Sequence, residues 1–122
     1  MNPMEELNNF NFAFGGTWQF GEDGRLDYQP VPEVDNILVY AIVENGNVRY
    51  VGRTFVGLDN CFYRFRLGAP AQPTNFRIHN FIINSLGQNQ MITYYLAEFE
   101  NLNAANVVKM ALIEALYPIW NY

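Results

Sequence analysis

Apolar positions repeat with two different periods along this chain, and each change of period marks an element. Residues 10–14 place Phe10, Phe12 and Phe14 at every second position, the spacing of a strand. Gly15, Gly16, Gly21, Gly24, Pro30 and Pro32 interrupt the next stretch, so regular structure there is expected to be short. From Ile37 two β-rich runs flank Glu44-Asn45-Gly46-Asn47, and an Asn-Gly pair between such runs predicts a tight hairpin. Residues 58–67 read as a short helical or irregular stretch, closed by Gly68, Pro70 and Pro73. Thr74 is placed to cap a helix in which Ile78, Ile82 and Leu86 share a face, with Gly87 as its stop. Residues 91–99, Met-Ile-Thr-Tyr-Tyr-Leu-Ala-Glu-Phe, read as a further strand. Asn103 is read as the cap of a last helix that Pro118 ends. The order from Ile37 is β-β-α-α-β-α. It predicts an α+β domain over 37–122, a three-stranded antiparallel sheet flanked by helices, after an aromatic and acidic extension over 1–36.

Composition narrows the setting. With 122 residues, half of them apolar and 16% aromatic, one core can form without disulfides. Cys61 is the lone cysteine, which fits a reducing compartment. No apolar run has membrane-spanning length, and the first residues carry acids where a secretion signal carries lysines. A cytoplasmic protein is the expectation. The formal charge is −5 and unevenly spread. Residues 1–36 hold seven acids against Arg25, whereas 37–122 hold five acids against six basic residues. Such a balance disfavours nucleic-acid binding by bulk electrostatics. The first segment has two readings: an arm laying its aromatics on the main body, or an acidic segment that binds a partner or masks the body.

Three landmarks then coincide. Leu38-Val39-Tyr40 opens the hairpin, Tyr50-Val51-Gly52 closes it ahead of Arg53 and Thr54, and Asn121 follows Pro118 and Trp120 beyond the last helix. Together they resemble the GIY-YIG nuclease domain over about residues 37–121. The stretch 67–80, Leu-Gly-Ala-Pro-Ala-Gln-Pro-Thr-Asn-Phe-Arg-Ile-His-Asn, resembles a corresponding stretch of small stand-alone members from bacteria and their viruses. The resemblance implies metal-assisted phosphodiester cleavage. A tyrosine or the water it activates attacks, an arginine offsets phosphate charge, and a glutamate on the last helix holds a divalent ion.

Carried over position by position, Tyr40, Tyr50, Gly52 and Asn121 are retained. The two charged positions are not. Ungapped alignment from Gly52 through the 67–75 stretch places Cys61 at the arginine position. Counting back twelve residues from Asn121 places Lys109 at the glutamate position. A protonated amine repels a divalent cation, and a neutral thiol cannot do the work of a guanidinium. Arg64, one helical turn beyond Cys61, is a candidate for a migrated arginine. Glu114, five positions from Lys109, falls roughly 140° around the helix, a poor replacement ligand. An apolar stripe of Val108, Ala111, Leu112, Ala115 and Leu116 is expected between the two charges. Arg53, Arg64, Arg66 and Arg77 are candidate phosphate or partner contacts. His79 has no clustered carboxylate or thiolate and reads as an ordinary helix residue; Cys61 reads as an inert thiol.

The sequence therefore supports a catalytically degenerate GIY-YIG-like domain that works by binding, through protein contacts, as a viral inhibitor or adaptor would. It leans away from an enzyme and implies no metal or other cofactor. The alternative is a Mg- or Mn-dependent DNA endonuclease with a displaced arginine and a metal ligand drawn from elsewhere, such as Glu98 or Glu100.

Overall fold

The structure is a computed structural model that describes residues 2–31, 36–55 and 57–122. Five antiparallel strands form one sheet: β1 (Ala13–Phe20), β2 (Leu26–Tyr28), β3 (Ile37–Glu44), β4 (Asn47–Thr54) and β5 (Ile92–Phe99), in the order β2-β1-β5-β3-β4. The helices are α1 (Pro3–Asn9), α2 (Leu58–Leu67), α3 (Pro73–Gly87) and α4 (Leu102–Leu116), and a short 3-10 turn covers Ile119–Asn121.

The expected hairpin forms as β3–β4, and its turn shows why Asn-Gly is needed. Asn45 and Gly46 both take positive φ, 49° and 84°, the combination that lets two twisted strands close in two residues. β3 becomes an interior strand between β5 and β4 and is buried along almost its whole length. Leu38, Tyr40 and Ile42 face one side, into a core with Trp18, Leu58, Phe62, Phe65, Ile78, Ile82 and Trp120. Val39, Ala41 and Val43 face the other, against Leu7, Phe12, Val48, Val51, Ala105 and Leu112. The result is three layers, with α2 and α3 on one face and α1 and α4 on the other.

The three-stranded expectation needs correction: the sheet has five strands. β1 pairs along β5 from Ala13↔Leu96 to Trp18↔Ile92, and β2 extends the sheet beyond it. Trp18, Leu26 and Phe12 are core residues, so the described part of 1–36 shares its sheet and cores with the rest of the chain. Of that segment's acids, Glu33 and Asp35 lie outside the described residues. The strand also begins later than the Phe alternation suggests. Phe10 ends α1, and Asn11 turns the chain with φ 62°.

Two caps move by about half a turn. Gln72 and Pro73 start α3, in place of Thr74, because proline has no N–H to lose at the first helical position. Asn101, not Asn103, caps α4, its side chain accepting from Ala104 N at 2.8 Å. Ala105 and Leu112 are the fully buried residues of α4, Ala115 is exposed, and half-buried Lys109 lies on the inward side between them. Glu114 is exposed. No helix among the described residues is long and apolar enough to cross a membrane.

Candidate functional site

Tyr40 and Gly52 face each other across the β3–β4 ladder. Tyr40 needs that glycine, because a Cβ on residue 52 would lie 2.4 Å from both its Cζ and its Oη. The phenol therefore lies flat over the backbone of β4 and ends beside α2. There its Oη is 3.3 Å from Cys61 Sγ, in a hydrogen bond that either group can donate. Tyr50 stands beside it, ring centroids 6.1 Å apart, with Phe65 edge-on to both. Four of the motif positions, Tyr40, Tyr50, Gly52 and Cys61, are thus brought together.

Asn121 has a different task. Its Oδ1 accepts from Val51 N at 2.8 Å and its Nδ2 donates to Val51 O at 2.9 Å. β4 is an edge strand, and this amide pairs a peptide group that has no neighbouring strand to bond. Arg77 helps to fix the same turn by donating from Nη2 to Trp120 O at 3.2 Å, and its charge also acts on Tyr50.

The charges gather around the free edge of β4. Arg53 donates from Nη1 to Asn106 Oδ1 on α4, and its Nε is buried without a partner. Lys109 lies one turn further along α4. Burial, and then the Arg53 charge, push its ammonium below the ordinary lysine range. Arg53 also reaches a cleft of about 210 Å³ on the α2 side, lined with Thr54, Phe55, Asn60, Cys61, Arg64 and Asn75. Arg64 acts on the Cys61 thiol through its charge. Lys109 itself sits on the α4 side of the sheet, opposite Tyr40, and communicates with the cleft through Arg53. Arg66 is elsewhere: it donates from Nε to Leu26 O at 3.0 Å, approaches Asp27 at 4.0 Å, and lines a separate cavity with His79. His79 donates from Nδ1 to Phe65 O at 2.8 Å, tying α3 to α2.

Chemically this is a site of protonated acids and unneutralised cations. Burial first, and then its neighbours Cys61 and Tyr50, lift Tyr40 well above the ordinary tyrosine range. Burial likewise raises Tyr50 and the Cys61 thiol. Near neutral pH none of the three offers an anion for attack or for metal binding. Among the described residues no carboxylate lines the cleft, and none contributes to the shifts of Tyr40, Tyr50, Cys61 or Lys109. A divalent ion of the Mg or Mn type needs anionic oxygen ligands, and the described residues lining this cleft supply none.

These shifts carry a stability prediction with a definite sign. Tyr40, Tyr50 and Cys61 hold their protons more tightly folded than unfolded, so their contribution is complete below about pH 9 and is lost as pH rises beyond it. Lys109, shifted down, works in the opposite direction but is one group against three. Urea unfolding at pH 7.5 and pH 10 should give a clearly lower midpoint at the higher pH. Alkylation of Cys61 in the folded protein at pH 8 should run well below the rate of a free thiol.

No protein-family model matches the chain, and no curated protein matches it by sequence. Among solved structures it is similar to a single-residue mutant of bacteriophage T4 EndoII, with a TM-score of 0.81, 16% identity and 100% of both chains covered. EndoII is a GIY-YIG nuclease, and a likeness at this identity shows the fold: a GIY-YIG-like α+β domain.

Proposed function

We propose that this GIY-YIG-like domain binds through its motif face and does not cut. One observation carries the reading. Around the motif tyrosines and the β4 edge stand Arg53, Arg64, Arg77 and Lys109, with no described carboxylate among them. A nuclease of this type must place a cation on anionic ligands beside the scissile phosphate. Here the glutamate position holds a lysine and the arginine position a thiol bonded to the first motif tyrosine. What remains is a scaffold with a cationic edge. In the N-terminal segment the aromatic anchors for a protein partner are divided, with Trp18 and Phe12 in the cores and Phe14 and Phe20 left exposed. A regulatory role through binding therefore rests on the cationic edge more than on the N-terminal segment.

A second reading, a nuclease with a displaced arginine, draws on Arg64, which shares the cleft with Cys61. Among the described residues no carboxylate lines that cleft: Glu44 is bound to Arg49 and Ser85, and Asp59 accepts from Tyr28 Oη. Titration of Mn²⁺ followed by the electron-spin signal of the free ion separates the two. The wild-type protein is expected to leave that signal as it is in buffer. A saturable site in the wild type that Tyr50→Phe or Arg64→Ala disturbs would defeat the non-cutting reading.

A further inference from the structure

The cleft beside Cys61 carries more on its walls than a phosphate alone would use. Phe55, just past the end of β4, is 66% exposed, with the Arg53 guanidinium 5.9 Å from its ring centroid. Arg64 enters from α2, and Asn60 and Asn75 add amides that both donate and accept. A ring in water beside arginines can accept a base on its open face, while the guanidinium holds the other. Arg64 and Arg53, whose Nη1 already donates to Asn106, border a cleft of about 210 Å³ that suits one phosphate with its sugar. A duplex keeps its base faces in its own stack, so a stacking ring selects an unpaired nucleotide.

We infer that, given the non-cutting reading above, this cleft takes one unpaired nucleotide of a single-stranded nucleic acid, its phosphate between Arg53 and Arg64 and its base on Phe55. The net charge of −5 does not oppose this, because the acids lie outside the cleft lining and exposed charges are screened within about 10 Å. Binding needs no divalent ion. Few phosphates are engaged, so its salt dependence is shallow.

The test is fluorescence anisotropy in EDTA with short labelled oligothymidylate and oligouridylate, against a dA·dT duplex of the same length. One of the single strands should bind about tenfold or more tighter than the duplex, and the tighter one identifies the sugar. Phe55→Ala should weaken binding about tenfold, the effect of losing one stacked base, and its exposure leaves the fold intact. Arg64→Ala should flatten the salt dependence by roughly 0.7 in slope. Arg25→Ala, in the β1–β2 turn, should change nothing. Equal binding of duplex and single strand, indifference to Phe55→Ala, or no binding at all would each overturn the inference. Because the assay excludes divalent ions, metal-dependent cutting seen elsewhere would refute the non-cutting reading without touching this result. Failure to bind single strands by a protein that does not cut would refute this inference alone.

Discussion

Trp18→Ala should cost about 3–5 kcal/mol and lower the melting temperature by roughly 10–20 °C, a loss that a loosely attached arm would not produce. Trp18 is 2% exposed and joins β1 to two other elements: its ring lies 4.9 Å from Tyr28 on β2 and 5.0 Å from Phe62 on α2. Phe62 in turn meets Tyr40 edge-on at 5.3 Å, so the cavity left by the indole opens one side chain away from the motif tyrosine. A domain of this size has about 5–15 kcal/mol in all, and this one substitution would remove a large part of it. Phe14→Ala is the matched control. Phe14 is 57% exposed and makes only an edge contact with Tyr95, so its removal should cost about 1 kcal/mol or less. Denaturant unfolding of both variants measures the pair. Equal, small losses would mean that the N-terminal strands are dispensable to the core.

Replacing both altered motif positions together, Cys61→Arg with Lys109→Glu, should give a protein that nicks supercoiled plasmid in Mn²⁺ at least about 100-fold above the wild-type background. The first change returns a guanidinium beside Tyr40, into a cleft that already has space for it. The second returns a carboxylate to the inward side of α4 and removes one of two adjacent cations, since Lys109 now faces Arg53. That exchange relieves repulsion on the α4 side, so Lys109→Glu alone should be no less stable than the wild type at pH 7. Each single variant should stay near background, because charge stabilisation and metal binding act on the same step. A well-folded but inert double variant would show that the count back from Asn121, or the alignment through residue 61, names the wrong positions.

How much of this is legible in the sequence depends on range. The β3–β4 hairpin and the strand at 92–99 are readable because their signals are local: an Asn-Gly turn and runs of β-branched and aromatic residues. The pairing of β1 with β5 is not. It joins residues about 80 apart, and no period within either strand announces it. The short helix α1 escapes a reading by period although its cap signals are present, with Asn2 as cap, Pro3 at the first position and Glu5 and Glu6 in the first turn. The alternation of Phe10, Phe12 and Phe14 directly after it is the stronger pattern and points to a strand. At the site, Tyr40, Tyr50, Gly52 and Cys61 converge because one hairpin and one helix carry them. Lys109 reads as an edge residue only on the assumption that a charge avoids the sheet. It sits inward because it follows Ala105 by four residues and precedes Leu112 by three, on the face those two bury, and the β4 edge keeps its ammonium partly in water. Arg53 can be singled out from its place beside Gly52 on the hairpin. Its link to Asn106 cannot, since that contact exists only once α4 lies against β4.

The central claim is that the motif scaffold persists without the chemistry, and plasmid nicking tests it most directly. Purified wild-type protein and Tyr50→Phe should be incubated with supercoiled DNA in Mg²⁺ and in Mn²⁺. Both are expected to leave the plasmid as supercoiled as buffer alone does. Nicking by the wild type that disappears with Tyr50→Phe would contradict the claim, and would place a working nucleophile where burial raises the pKa of both tyrosines.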